Sequence, residues 1–245
     1  MTGWPVEAIL LVERMVEEVC PAAGEETKAR WRQQFLDLGA HLQTWSARFN
    51  ITAIRDPRNI VVRHYVDSLL ALPLIPKGAK RIIDVGCGAG FPGLPIKICR
   101  PELEVAFLDS REKAIAFVRH AAAMLGLEGV SFHEMRAEGA VRESKSLESQ
   151  SQGSGSLRGA FDCAMAKALG KVEKVVDLCL PLVRPVKEKA DAGGGGRLIA
   201  FLPSQGLGEE EAAALRRRGL CFREEERAAE AFAWRRKFLV VERRD

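Results

Sequence analysis

The 245-residue sequence has no hydrophobic run that approaches 18 residues, so it predicts no transmembrane helix. It also shows no signal peptide, because Glu7 and Glu13 interrupt the apolar residues near its start. The six cysteines form no C-x-x-C pair and no Cys/His spacing, which argues against a disulfide framework and a zinc site. We therefore expect a soluble, cytoplasmic protein with no metal and no membrane partner.

The length and the net charge of the chain set broad limits on its fold class and its binding partners. A chain of 245 residues can form one large α/β domain with extensions and can bury a sizeable core. The net charge of +4 and the pI near 8.8 permit nucleic-acid binding without requiring it.

Residues 81–93 predict a buried strand that runs directly into a glycine-rich turn and a helix. The first five residues are mostly apolar and β-branched, as a central parallel strand covered on both faces requires. Glycines at alternate positions, Gly86, Gly88 and Gly90, then let the backbone turn tightly and let a ligand approach the amides. The N-terminus of the following helix favours negative charge.

A second strand, 104–109, ends in Asp109, about 20 residues beyond the glycines, where nucleotide-binding α/β folds place an acid for the ribose hydroxyls. A dinucleotide fingerprint beginning at Gly86 would need glycine where Phe91 stands. The pattern Asp84-x-Gly86-x-Gly88-x-Gly90 instead resembles motif I of the S-adenosylmethionine-dependent methyltransferases. An NAD-dependent dehydrogenase and a noncatalytic nucleotide-binding module stay open as alternatives, as does a methyltransferase of a small molecule or protein.

The resemblance to methyltransferases also implies an overall architecture. We expect a Rossmann-like α/β fold with a mixed seven-stranded sheet, in which a late strand over 237–242 runs antiparallel. Apolar residues at helical spacing predict that residues 1–75 form a helical cap packed on a methyltransferase domain, 76–245. Ser/Gly-rich segments near 144–159 and 184–196 are expected to be mobile insertions.

Three motifs together point to one family. They are F-N-I-T-A-I-R-D-P at 49–57, R-H-Y-V-D-S at 63–68 and D-V-G-C-G-A-G-F-P-G-L-P at 84–95. Over residues 35 to 182 the chain resembles the RsmG (GidB) family, the guanine-N7 methyltransferases of small-subunit (16S) ribosomal RNA. The resemblance implies S-adenosylmethionine as cofactor and ribosomal RNA or the small ribosomal subunit as partner. The chain departs from the family pattern at Lys167, where arginine is usual, and at Pro203-Ser204, where Lys-Gly is common.

The resemblance and the motifs suggest two sets of site residues. The expected cofactor-binding residues are Gly86, Gly88, Gly90, Phe91, Asp109, Ser110, Ala137, Glu138 and Lys167. The expected RNA-binding residues are Arg55, Arg58, Arg63, His64 and Lys167. Two alternatives stay open at this point. Arg63, His64 and Asp67 can form a salt-bridged helix face, and the C-terminal arginines can line either a solvated face or a phosphate-binding rim.

If the acceptor is a nucleic-acid base, the absence of two sequence motifs narrows the choice of the atom that is methylated. Exocyclic amine methylation usually needs an [ND]-P-P-[YFW] loop, and carbon-5 methylation needs a cysteine in a Pro-Cys motif; the sequence contains neither. Guanine N7 carries a lone pair and no proton, so it can accept a methyl group without a general base. We therefore assign no catalytic residue and expect catalysis by proximity, alignment and desolvation.

Overall fold

The computed structural model describes residues 4–19, 21–141, 156–185 and 196–243. The predicted insertions near 144–159 and 184–196 lie mostly outside these described residues. Within the described part of the chain, no helix combines the length and the apolar character that crossing a bilayer requires. In the same part, no group of three His, Cys, Asp or Glu side chains is placed to hold a metal ion.

A seven-stranded sheet forms the centre of the fold. Its strands are β1 (Arg81–Val85), β2 (Glu104–Asp109), β3 (Val130–Glu134), β4 (Cys163–Lys167), β5 (Arg197–Phe201), β6 (Cys221–Ala229) and β7 (Trp234–Glu242). The order across the sheet is β3-β2-β1-β4-β5-β7-β6. Strands β1 to β5 are parallel, and β7 runs antiparallel to both of its neighbours. The predicted Rossmann-like fold with a mixed seven-stranded sheet is confirmed.

Helices cover both faces of this sheet. The α-helices are α1 (Val6–Val19), α2 (Glu25–Phe49), α3 (Pro57–Ile60), α4 (Asp67–Leu69), α5 (Gly93–Cys99), α6 (Glu112–Met124), α7 (Ala137–Val141), α8 (Val172–Cys179) and α9 (Glu209–Arg217). One hydrophobic core joins the sheet to α1 to α6, and a second core on the opposite face joins it to α7, α8 and α9. The central strands are apolar on both faces because both faces are covered.

The N-terminal helices belong to the first of these cores. Trp31, Phe35, Leu38 and Leu42 follow one face of α2 and are buried, as their spacing of three and four residues predicts. A π-helical stretch, Val61–Val66, connects α3 to α4 and continues the burial. The division of the chain at residue 75 stays a prediction, although the core is continuous from α1 to β1.

Sequence analysis did not predict the strand β6, which contains the acidic run 224–226. The strand lies at the edge of the sheet and pairs with β7 over its full length. Its charges are compensated locally, because Lys237 on β7 forms an ion pair with Glu224, and Arg223 forms one with Glu225. An edge strand rich in charge is a common way to prevent pairing with other chains.

Candidate active site

The glycine loop after β1 is held against the end of β2. The backbone N–H groups of Gly86 and Cys87 both donate to the carbonyl of Leu108, at 2.7 and 3.0 Å. Gly88 has a φ of +54°, which glycine adopts without strain, and its N–H donates to Oδ2 of Asp109 at 2.9 Å. The loop and the carboxylate therefore form one unit at the carboxyl edge of the sheet.

Asp109 is only 5% exposed and accepts several hydrogen bonds. Besides Gly88, the backbone N–H of Arg111 donates to Oδ1 at 2.9 Å, and the Arg111 guanidinium contacts both oxygens at 3.2 and 3.3 Å. Burial acts to raise the pKa of Asp109, but the hydrogen bonds from Arg111 and Gly88 outweigh it and lower the pKa below its ordinary value. Asp109 is thus an ionised acceptor at neutral pH. The sequence interpretation did not identify Arg111.

A cavity of about 400 Å³ opens beside Asp109. Five of the expected cofactor-binding residues line it, namely Gly86, Asp109, Ser110, Ala137 and Glu138. The other lining residues include Arg111, Met135, Ala168 and Leu169. Gly88, Gly90 and Phe91 do not line this cavity. A Cβ at Gly90 would lie 2.4 Å from Leu94 Cδ1, and Phe91 is buried behind the loop.

Asp84, near the end of β1, is a buried acid. It is the first residue of the glycine-rich motif but is not among the expected cofactor-binding residues. Its Oδ2 accepts a hydrogen bond from the N–H of Gly93 at 2.8 Å. Its Oδ1 is buried and has no hydrogen-bond partner among the described residues. Burial raises the pKa of Asp84 to about 7. Asp84 has no exposed surface and lines neither of the two cavities described in this section.

A second cavity, of about 480 Å³, lies on the other side of the segment that follows β4. Ala168 and Leu169 line both cavities and so form the wall between them. The apolar surface of the second cavity includes Phe201 and Leu202. Pro203, where the sequence departs from the Lys-Gly pattern, also lines it.

Two cations remain on the wall of the second cavity, Lys167 and Arg236. Both contact the carboxylate of Asp67: Lys167 Nζ lies 2.6 Å from Oδ2, and Arg236 Nε donates to Oδ1 at 2.6 Å. Lys167 Nζ also donates to the backbone carbonyl of Arg63 at 3.0 Å. Lys167 therefore belongs to the second cavity and does not line the first.

The sequence model of the family described as GidB, rRNA small subunit methyltransferase G, matches residues 32–189. The chain belongs to this family. A "Ribosomal RNA small subunit methyltransferase G" from Roseiflexus sp. (strain RS-1) is 37% identical over 170 residues, which cover 69% of this chain and 68% of that protein. Its namesake from Staphylococcus epidermidis is 35% identical over 189 residues, covering 77% of this chain and 70% of that protein.

Comparison with solved structures supports the fold without relying on sequence similarity. The cofactor-bound protein Rv0187 from MTB superimposes with a TM-score of 0.50 and 17% identity. The superposition covers 85% of this chain and 90% of that one. At this identity the likeness concerns the fold alone.

The residues expected to bind RNA are divided between surface and interior in this family member. Arg55, Arg58 and Arg63 are exposed. His64 is only 9% exposed, stacks on Phe91 with ring centroids 4.2 Å apart, and lies 3.1 Å from Thr52 Oγ1 through Nε2. Burial, together with the nearby charge of Lys167, lowers the pKa of His64 to about 3. His64 is thus a neutral side chain packed behind the glycine loop.

Proposed function

We propose that the protein transfers a methyl group from S-adenosylmethionine to N7 of a guanosine in small-subunit ribosomal RNA. Membership of the rRNA small subunit methyltransferase G family supports both the reaction class and the RNA substrate. The observation that carries the proposal is the pair of adjoining cavities at the carboxyl edge of the sheet, separated by Ala168 and Leu169. Ligands of open α/β sheets bind at this edge.

The first cavity suits S-adenosylmethionine. In this assignment Asp109 accepts hydrogen bonds from the ribose hydroxyls, as an ionised carboxylate at the end of β2 can. Ser110, Ala137 and Glu138 line the part assigned to the adenine, and Gly86 of the glycine loop lines the remainder. When bound, the cofactor supplies a methyl group on a sulfonium.

The second cavity suits the acceptor base. Phe201 and Leu202 offer apolar surface to a flat ring, and Lys167 and Arg236 offer N–H donors. Guanine presents O6 and N7 as acceptors, so a donor on O6 would leave N7 available to the methyl group. Because N7 loses no proton, the site needs no general base. The protein's contribution is to align the two ligands across the shared wall and to exclude water.

The exposed arginines before β1 suit the phosphates of the RNA around the acceptor. Arg55, Arg58 and Arg63 lie on the N-terminal segment that also carries Asp67, whose carboxylate pairs with Lys167 and Arg236 of the second cavity's wall. Guanidinium groups bind phosphate oxygens through paired N–H donors. A cytoplasmic location, which the RNA substrate implies, stays a prediction.

Cofactor binding and methyl transfer test this proposal in two steps. Isothermal titration should show binding of S-adenosylmethionine and no binding of NAD. Methyl-labelled S-adenosylmethionine should then label small-subunit ribosomal RNA in preference to large-subunit RNA. Binding of NAD alone would favour a dehydrogenase. Cofactor binding with transfer to a protein or small molecule, and none to RNA, would reject the proposed acceptor.

A further inference from the structure

Asp67 has no exposed surface, and its carboxylate contacts Lys167 and Arg236 on the wall of the second cavity. Its Oδ1 accepts hydrogen bonds from Arg236 Nε at 2.6 Å and from the indole N–H of Trp234 at 2.8 Å. Its Oδ2 lies 2.6 Å from Lys167 Nζ as an ion pair without the geometry of a hydrogen bond. A buried carboxylate is costly unless it is paired, and here one acid meets two cations.

The partners of Asp67 come from different parts of the chain. Lys167 is the last residue of β4, Trp234 and Arg236 begin β7, and Asp67 itself begins α4. Arg236 is fixed a second time, because its Nη1 donates to the carbonyl of Leu202 at 3.0 Å. Burial acts to raise the pKa of Asp67, but the charges of Lys167 and Arg236 outweigh it and lower the pKa, so the acid stays ionised.

Both cations keep N–H groups beyond those that Asp67 engages, because an ammonium has three and a guanidinium five. Both side chains also line the second cavity. Their exposed fractions are small, 18% for Lys167 and 21% for Arg236, so each has a restricted range of positions. Long cationic side chains lose considerable rotamer entropy when a ligand orders them, and a fixed anchor removes much of that cost before binding.

We propose that Asp67 is a positioning residue that holds Lys167 and Arg236 against the acceptor cavity, and that recognition of the RNA base depends on it. This inference rests on the proposed function of the second cavity. The carboxylate has a second effect, since it cancels one of the two positive charges beside a base that becomes cationic when N7 is methylated. Asp67 touches neither ligand and acts only through the two cations.

The test compares Asp67→Asn with Asp162→Asn. Asp162 is a matched control because it is also buried, accepts hydrogen bonds from the backbone N–H groups of Lys80 and Arg81 at 2.8 and 2.9 Å, and pairs with Arg184. It lies at the opposite, amino edge of the sheet. Both variants should lose thermal stability. Only Asp67→Asn should raise the KM for small-subunit ribosomal RNA, by about tenfold, the loss expected when charged donors are released.

A double-mutant cycle separates positioning from a general structural role. If Asp67 acts through Lys167, the double variant Asp67→Asn/Lys167→Met should raise KM by less than the product of the two single effects. Multiplicative effects, or equal KM values for Asp67→Asn and Asp162→Asn, would overturn the inference while leaving the methyltransferase activity of the parent intact. A parent protein that methylates no RNA would instead overturn the proposed function, and with it this inference.

Asp67→Asn can fail to fold, since it removes a charge from a buried cluster. Trp234→Phe then serves as the second variant, because it removes one donor to Asp67 and keeps the carboxylate and both cations. It should raise the KM for RNA a few-fold and leave the affinity for S-adenosylmethionine unchanged. An unchanged KM would overturn the inference.

Discussion

Replacing Gly88 by alanine separates backbone strain from ligand exclusion, because the chain contains a matched control. Gly88 has a φ of +54° and Gly126, in the loop between α6 and β3, has a φ of +65°. An L-residue in this left-handed region costs about 1 to 2 kcal/mol, so Gly88→Ala and Gly126→Ala should lose similar amounts of stability. Chemical denaturation of the two variants measures this common cost.

Only the methyl group added at Gly88 meets the proposed cofactor site. A Cβ there would lie 3.4 Å from Nη2 of Arg111, which lines the first cavity, whereas a Cβ at Gly126 meets nothing within 4 Å. The Arg111 guanidinium contacts both oxygens of Asp109, so moving it away from the added methyl group disturbs the carboxylate assigned to the ribose. Losing one hydrogen bond to this charged group costs about 1.5 to 3 kcal/mol, which is roughly a tenfold or larger loss of affinity.

Isothermal titration with S-adenosylmethionine gives the decisive comparison. The account predicts that Gly126→Ala binds the cofactor like the parent and that Gly88→Ala binds it at least tenfold more weakly. A folded Gly88→Ala protein whose affinity stays within twofold of the parent would refute the placement of the cofactor against this loop.

Three further predictions concern the acid, the buried histidine and the arginines. Asp109→Ala should weaken binding of S-adenosylmethionine roughly tenfold to a hundredfold; a change of less than twofold in titration would make the acid structural. The pKa of His64 is lowered from 6.5 to about 3, so its neutral form stabilises the fold above pH 6.5, and this stability is lost as pH falls. Between pH 8 and pH 5 this group should lower the stability of the parent relative to His64→Gln by about 2 kcal/mol, which denaturation of both proteins at the two pH values measures. The triple variant Arg55→Ala/Arg58→Ala/Arg63→Ala should keep cofactor affinity and flatten the salt dependence of RNA binding by about one unit of slope per lost contact; an unchanged slope would move the RNA surface elsewhere.

Local sequence signals predicted the βαβ unit and part of the first cavity's lining. The apolar β-branched run of β1, the alternating glycines and the acid ending β2 are consecutive in the chain, so their spacing alone predicts the βαβ unit. The structure brings Gly86, Asp109, Ser110, Ala137 and Glu138 to one cavity for the same reason, because the carboxyl ends of parallel strands share an edge.

The features that sequence analysis did not predict depend on contacts between residues that are far apart in the chain. His64 was expected among the RNA-binding residues, but the structure buries it against Phe91, and this stacking depends on how α3 to α4 pack over the glycine loop. Arg236 approaches Asp67 across 169 positions of the chain, and no local spacing encodes that contact. The edge strand β6 has charges on both faces, so it shows none of the apolar alternation by which strands are usually identified.

Mapping the methylated atom tests the central claim most directly. The parent protein is incubated with S-adenosylmethionine and small-subunit ribosomal RNA, either free or in assembled subunits. The RNA is then treated with borohydride and aniline, which cleave the chain at N7-methylguanosine. The account predicts cleavage at a guanosine that depends on both enzyme and cofactor. Incorporation of label without cleavage, which would mean transfer to another atom, or no incorporation at all, would contradict it.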